Sequence, residues 1–187
     1  MKALLVGLGG IGSNVYLPEL IKLGYTVETV DPIVGGATFE DTKQVTDQYD
    51  VAVICTPNFT HDNIARLLAD KVETIFIEKP GLPSSSQWNN LCEDFPHTKF
   101  ILCKNNLYRN SYGALDDFLK GDEELTGIDI TWFSADRIPN PGGWSTQRRK
   151  AWGGVALDLF PHLYCQLVKI FGGVPEMDRS SHSMAQQ

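Results

Sequence analysis

A chain of 187 residues, 42% of them apolar, is long enough for one large domain or one and a half small ones. Its formal net charge of −7 argues against a nucleic-acid or anionic-membrane partner. No apolar run approaches a membrane span, and Lys2 is the sole basic residue ahead of a run that glycines soon interrupt, which does not read as a signal peptide.

The first predicted element is a buried parallel strand, Ala3-Leu4-Leu5-Val6. It runs into Gly7-Leu8-Gly9-Gly10-Ile11-Gly12, which fits the G-x-G-x-x-G pattern. In that pattern Gly7 permits the turn, Gly9 lets backbone approach a pyrophosphate, and Gly12 seats the helix on the strand. The helix that follows offers N–H groups and the positive end of its dipole to phosphates. It is predicted from about Gly10 to Leu23, with Ile11, Val15, Leu20 and Ile21 inward, Pro18 bending it and Gly24 closing it. A second strand, Tyr25 to Val30, ends at Asp31, at the spacing of a carboxylate that accepts from ribose hydroxyls. An acid there, with no arginine before Arg66, favours NAD over NADP; the plain alternative for Asp31-Pro32 is a turn pair.

A short helix is expected between Glu40 and Gln48, then a buried strand, Val51 to Cys55, ended by Thr56-Pro57-Asn58 at the sheet's carboxyl edge. Thr60 is a candidate N-cap for a helix through Ala69 with Ile64, Leu67 and Leu68 inward. Thr74 to Ile77 is a fourth strand, followed by Glu78-Lys79-Pro80-Gly81; a helix from Ser84–Ser86 to about Cys92 and a fifth strand, Lys99 to Cys103, complete the alternation. This succession predicts an α/β fold with a Rossmann doubly wound parallel sheet over 1–104. Residues 105–173 read as a smaller α+β part: a helix ending near Gly121, a strand Leu125–Phe133, a loop Ile138–Gly143, a basic loop Arg148-Arg149-Lys150, and a helix Asp158–Phe171. The last helix has an apolar stripe of Phe160, Leu163, Tyr164, Leu167, Val168 and Phe171, with Asp158, His162, Cys165 and Lys169 opposite. Residues 174–187 read as a disordered tail. Cys55, Cys92, Cys103 and Cys165 have the scatter of reduced thiols in a cytoplasmic protein, and the dispersed histidines give no metal site.

Four stretches together resemble the Gfo/Idh/MocA oxidoreductases, typified by glucose–fructose oxidoreductase and inositol dehydrogenase. They are the Gly7–Gly12 loop, Cys55-Thr56-Pro57-Asn58-Phe59-Thr60-His61, Ile77-Glu78-Lys79-Pro80, and the G-G-x-x-x-D-x-x-x-H run from Gly153 to His162. The resemblance implies that Lys79 reaches the nicotinamide and the substrate hydroxyl, that His162 is the general base, and that Asp158 orients or charge-balances it. It also implies that Thr56, Pro57, Asn58 and His61 line the nicotinamide half of the pocket and that Glu78 supports the loop. Read without the family, Lys79 is equally a solvated lysine, Asp158 a helix cap with Pro161 in the first turn, and His162 a structural histidine. Arg148 to Lys150 read as a wet loop or as a grip on an acidic or phosphorylated sugar.

Family members are longer and wall the substrate with an antiparallel sheet, of which the strand near Leu125–Phe133 is the counterpart here. Phe160-Pro161 also replaces the small residues usual before the histidine. The substrate part thus reads as shortened, and its uncovered strand and helix face predict a homo-oligomer. The implied activity is NAD(H)-dependent hydride transfer between nicotinamide and a secondary alcohol or ketone of a sugar, cyclitol or similar polyol. The alternatives are a non-catalytic NAD-binding regulator or assembly partner, and a relative acting on C=N or C=C bonds.

Overall fold

The computed structural model describes residues 1–120, 129, 131, 143–153 and 155–173. Five parallel strands form one sheet: β1 (Lys2–Val6), β2 (Thr26–Val30), β3 (Tyr49–Ile54), β4 (Val72–Ile77) and β5 (Lys99–Leu102), in the order β2-β1-β3-β4-β5. The expected doubly wound sheet is therefore present, and each strand lies within two residues of its predicted limits. Strand order reverses between β1 and β3, which opens a crevice at their carboxyl ends.

The pleat divides each strand between two apolar layers. Leu4, Val6, Ala52, Ile54, Ile75 and Ile77 point to the face covered by α2 (His61–Leu68) and α3 (Ser85–Asp94), where they meet Ile64, Ala65, Leu68 and Leu91. Ala3, Leu5 and Val53 point to the other face and meet Leu20 of α1 (Leu17–Lys22). Each fully buried leucine or isoleucine contributes roughly 1.5–3 kcal/mol. Exposed ion pairs such as Lys22–Glu19 contribute about 0–1 kcal/mol, so the two apolar layers hold the fold.

The first helix is present, but its inward face differs from the prediction. Ile11, Val15 and Ile21 are exposed, whereas Gly12 and Leu20 are buried and Tyr16 and Leu17 half-buried. Two features rotate it. Gly12 is pressed against Gly7, which fixes the phase of the first turn. Gly12–Tyr16 then form a wide π turn in which the Leu17 N–H donates to Gly12 O. This turn precedes Pro18, which has no N–H to continue an α ladder.

Elsewhere the local chemistry is plain. The expected helix between Glu40 and Gln48 is a single turn, Thr42–Gln44, closed by Asp41 and Gln44 as a capping box. Ser84 caps α3 by accepting from the Gln87 N–H at 3.2 Å. Thr60 does not cap α2; its hydroxyl lies 2.7 Å from both Pro57 O and Thr56 Oγ1.

The later chain contributes α4 (Asn110–Leu119), α5 (Arg148–Ala151) and α6 (Val155–Phe171). Arg148 to Lys150 therefore form a short helix rather than a loop, and it packs on the turn Asn58–Thr60 with the Lys150 ammonium 5.5 Å from the Phe59 ring centre. α6 begins three residues before Asp158, so Asp158 is not its cap, and it packs on Asn105–Tyr108. Cys165 is buried, not on a wet face, while Phe160 and Phe171 of the predicted apolar stripe are exposed. All but residues 129 and 131 of the predicted strand Leu125–Phe133, nearly all of the loop Ile138–Gly143, and the tail 174–187 lie outside the described residues.

Candidate functional site

The carboxyl ends of β1, β3, β4 and β5 bring the chemistry-bearing loops together. Cys55 N–H donates to Val6 O, Glu78 N–H to Ile54 O, and Cys103 N–H to Ile77 O, so four adjacent strands end in register. Gly7 turns the chain away from β1 with φ +98°, and a Cβ there would lie 2.9 Å from the Cys55 carbonyl. A Cβ on Gly12 would collide with Gly7 O, while Cβ atoms on Gly9 and Gly10 would meet nothing within 4 Å. The loop is therefore closed on its protein side and open outward, which fits a pyrophosphate laid across Gly9 and Gly10. Ile11 flanks this opening and is exposed.

Asp31 stands at the end of β2 beside that loop. Its Oδ2 accepts from Leu8 N–H at 2.7 Å, and its Oδ1 from Ile33 and Val34 N–H at 2.8 and 2.9 Å. Partial burial pushes its pKa up, but the N–H groups of Leu8, Val34 and Ile33 outweigh it and hold the carboxyl below the usual range. Lone pairs remain for a ribose diol, so the residues present fit an NAD-type dinucleotide. Stability from a depressed carboxyl is complete above its unfolded pKa and fades as pH falls through its folded one. The difference in unfolding free energy between wild type and Asp31→Asn is thus expected to be full at neutral pH and to shrink below about pH 4 in denaturant titrations.

Lys79 is carried on a four-residue turn, Glu78 to Gly81, closed by a 3.0 Å bond from Gly81 N–H to Glu78 O, with a cis Lys79–Pro80 peptide. Glu78 is buried and braces the turn: its Oε2 accepts from Lys79 N–H at 3.1 Å and its Oε1 from the Tyr16 hydroxyl at 2.5 Å. The burial of Tyr16, with Cys103 and Glu78 beside it, raises the phenol far above its ordinary value. Burial, helped by Glu78, pushes the Cys103 thiol up to about 11 and the Cys55 thiol higher still. Both stay protonated near neutrality and are poor nucleophiles.

The half-buried Lys79 ammonium reaches across to α6, where it pairs with Asp158 Oδ1 and lies 3.3 Å from Asp158 O. The two side chains are 25% and 51% exposed, so the pair is worth no more than about 1 kcal/mol of stability; its effect is to fix where the ammonium sits. His162 follows one helical turn after Asp158, half-buried on the same helix. Burial lowers its pKa and the Lys79 cation lowers it further, while Asp158 and Glu78 oppose them; Arg109 adds a smaller downward push. Lys79, Asp158 and His162 therefore share one electrostatic environment.

The Thr56 loop is placed beside these groups. Asn58 is buried, Thr56 and Pro57 are half-buried, and the Thr56 methyl lies 3.1 Å from the position of a Cβ on Gly7. His61 is fully buried, its Nδ1 2.9 Å from Gly81 O and its Nε2 2.9 Å from Thr56 O. Sequence reasoning did not find Tyr16, Arg109 or Trp152. Trp152 adopts the left-handed conformation at φ 59° and sets its ring edge-on to His61 at 6.4 Å. A phenol, a guanidinium and an indole without a local motif carry no signal of these roles. Among the described residues no grouping of His, Cys, Asp and Glu could hold a metal ion, and no helix is long and apolar enough to cross a membrane.

Residues 27–104 match the Gfo/Idh/MocA profile, described as an oxidoreductase family with an NAD-binding Rossmann fold. A protein of Amycolatopsis mediterranei (strain S699), named as the oxidoreductase subunit of a UDP-kanosamine synthase, is 30% identical over 92% of this chain and 52% of its own length. The WlbA (WbpB) dehydrogenase of Thermus thermophilus, solved with NAD and α-ketoglutarate, superposes with TM-score 0.71 at 18% identity over 92% of this chain and 63% of that one. GenD2 from gentamicin A biosynthesis, solved with NAD, gives TM-score 0.70 at 20% identity over 92% and 54%. The chain thus spans about half to two thirds of the length of these relatives. Its parallel sheet, its glycine loop and the profile agree on a Rossmann domain with NAD as the cofactor. The chain is similar to the Gfo/Idh/MocA oxidoreductases, whose NAD-binding Rossmann profile matches residues 27–104.

Proposed function

We propose that the protein catalyses NAD(H)-dependent interconversion of a secondary alcohol and a ketone on a sugar, cyclitol or similar polyol. The observation that carries this reading is the ion pair of Lys79 with Asp158, formed across 79 residues of sequence, with His162 one helical turn further on. When bound, NAD supplies the hydride acceptor. His162 takes the hydroxyl proton, and the Lys79 ammonium stabilises the negative charge that develops on the substrate oxygen. Asp158 holds that ammonium in place and balances it. Thr56, Pro57 and Asn58 border the nicotinamide half, and Gly7, Gly9, Gly10, Ile11, Gly12 and Asp31 hold the other half. Residues 105–173 supply the substrate side.

The name of the Amycolatopsis relative supports a nucleotide-linked sugar as the substrate to try first. The test is NAD reduction followed at 340 nm, the absorbance of NADH, with UDP-sugars, free sugars and cyclitols, run beside the mass of the assembly in solution. Turnover abolished by His162→Gln supports the proposal; NADH binding with no turnover of any of them counts against it. That relative is also named as a subunit, which supports a second reading: a cofactor-binding subunit whose pocket a partner completes. Turnover appearing only when a partner protein is added would favour it.

A pH dependence follows from the surroundings of His162. Proton removal requires the neutral ring, and burial and Lys79 hold its pKa below the usual imidazole value of about 6.5. Oxidation is expected to stay on its plateau as pH falls through neutrality and to decline only below that value. An NMR titration of the His162 ring is expected to give a midpoint below about 6.5 in wild type, and a higher one in Lys79→Met, where the cation is gone.

A further inference from the structure

We propose that His61 is a positioning residue whose buried ring ties the Thr56 loop to the turn that carries Lys79, and so sets where the ammonium meets Asp158. The function of the lysine in this statement rests on the oxidoreductase reading above; the tie itself does not.

The ring is 0% exposed, so it offers no free face to a nicotinamide. Both nitrogens are occupied within the protein, at 2.9 Å from Gly81 O and 2.9 Å from Thr56 O. These carbonyl partners offset the cost of burying an imidazole, which explains why a histidine is tolerated beside Ile64, Ala65 and Leu68 on α2. Burial holds the ring below its usual pKa, while the Gly81 and Thr56 carbonyls and Glu78 pull the other way and Lys79 adds to the lowering. The neutral ring donates to one of these carbonyls and the charged ring to both; the two carbonyls and Glu78 favour the charged form, and burial opposes it.

The turn from Glu78 to Gly81 is held at both ends. At its start, Glu78 accepts from Tyr16 and from Lys79 N–H. At its end, Gly81 O faces His61, and Gly81 itself is pressed so closely on Leu102 that a Cβ would lie 3.0 Å from Leu102 Cδ1. Lys79 lies between these two anchors. The third contact of the ring is Trp152, three residues ahead of the start of α6, the helix that carries Asp158. One imidazole thus touches the Thr56 loop, the Lys79 turn and the approach to Asp158. Removing it frees the turn at its far end and releases the Thr56 carbonyl, while Asp31 keeps its bond from Leu8 N–H in the glycine loop.

The experiment uses the full chain with lysines reductively methylated with carbon-13, the Lys79 signal being assigned by its loss in Lys79→Arg. In His61→Ala the Lys79 signal is expected to move toward that of a solvated lysine, and His61→Gln, which keeps a donor, is expected to restore part of the shift. The Kd for NADH is expected to stay within about threefold of wild type in both. An unmoved Lys79 signal overturns the proposal, and so does a Kd for NADH weakened more than about tenfold with Lys79 in place, which would make His61 a cofactor contact. If His61→Ala does not fold, the wild-type ring N–H decides. Its signal is expected to be protected from exchange and unmoved by saturating NADH, and rapid exchange or a large shift overturns the tie. Failure of wild type to bind NADH would strike the cofactor reading instead and leave the Lys79 readout standing.

Discussion

Lys79→Ala is expected to lower kcat by about 10²–10³-fold, the usual loss when one preorganised donor to a developing oxyanion is removed. The structure argues that the loss falls on chemistry and not on folding. The lysine is half-buried, and its pair with Asp158 contributes at most about 1 kcal/mol. The melting temperature should therefore change by no more than a few degrees. The glycine loop and Asp31 are left intact, so the Kd for NADH should hardly move. Steady-state kinetics with calorimetric melting and fluorescence titration of NADH separates these effects. A fall in kcat matched by an equal loss of NADH binding would place the lysine on the cofactor alone. Lys79→Arg should recover little, because a planar guanidinium cannot occupy the site of a compact ammonium held by Asp158.

Gly12→Ala is expected to damage the fold and the cofactor site together, while Gly9→Ala damages only the second. The alanine methyl at position 12 would strike Gly7 O, a backbone atom of a residue whose own N–H is held by Val30 O. Overpacking of this kind costs about 1–3 kcal/mol or more. At roughly 2–4 °C per kcal/mol for a chain of this size, melting should fall by several degrees. The methyl at position 9 meets nothing within 4 Å in the protein, so Gly9→Ala should melt like wild type. It would nevertheless stand where the pyrophosphate must approach, and NADH affinity should drop at least tenfold, or about 1.4 kcal/mol. Equal melting temperatures for the two variants would refute the assignment of separate duties to these glycines.

The strands were legible because each is a short apolar run bounded by turn residues, and their alternation with helices admits few topologies. Helix faces were less legible. Periodicity offers Ile11, Val15 and Ile21 as an apolar stripe, yet contact at Gly12 and the π turn before Pro18 set a different rotation. The core role of His61 was hidden because its partners are the carbonyls of Gly81 and Thr56, and backbone acceptors leave no mark in a sequence. Arg148 to Lys150 looked like a loop because a four-residue helix is too short to show a period. The meeting of Lys79 with Asp158 could be expected only from the family's order of motifs, since no local pattern links residues 79 positions apart.

The bond from Leu8 N–H to Asp31 makes the acidic residue part of the scaffold that shapes the glycine loop. Cofactor redesign at this position is therefore not modular. A substitution intended to admit a 2′-phosphate also withdraws the acceptor that anchors Leu8, Ile33 and Val34, so selection for NADP use should recover compensating changes in the loop after Val6 alongside any change at Asp31.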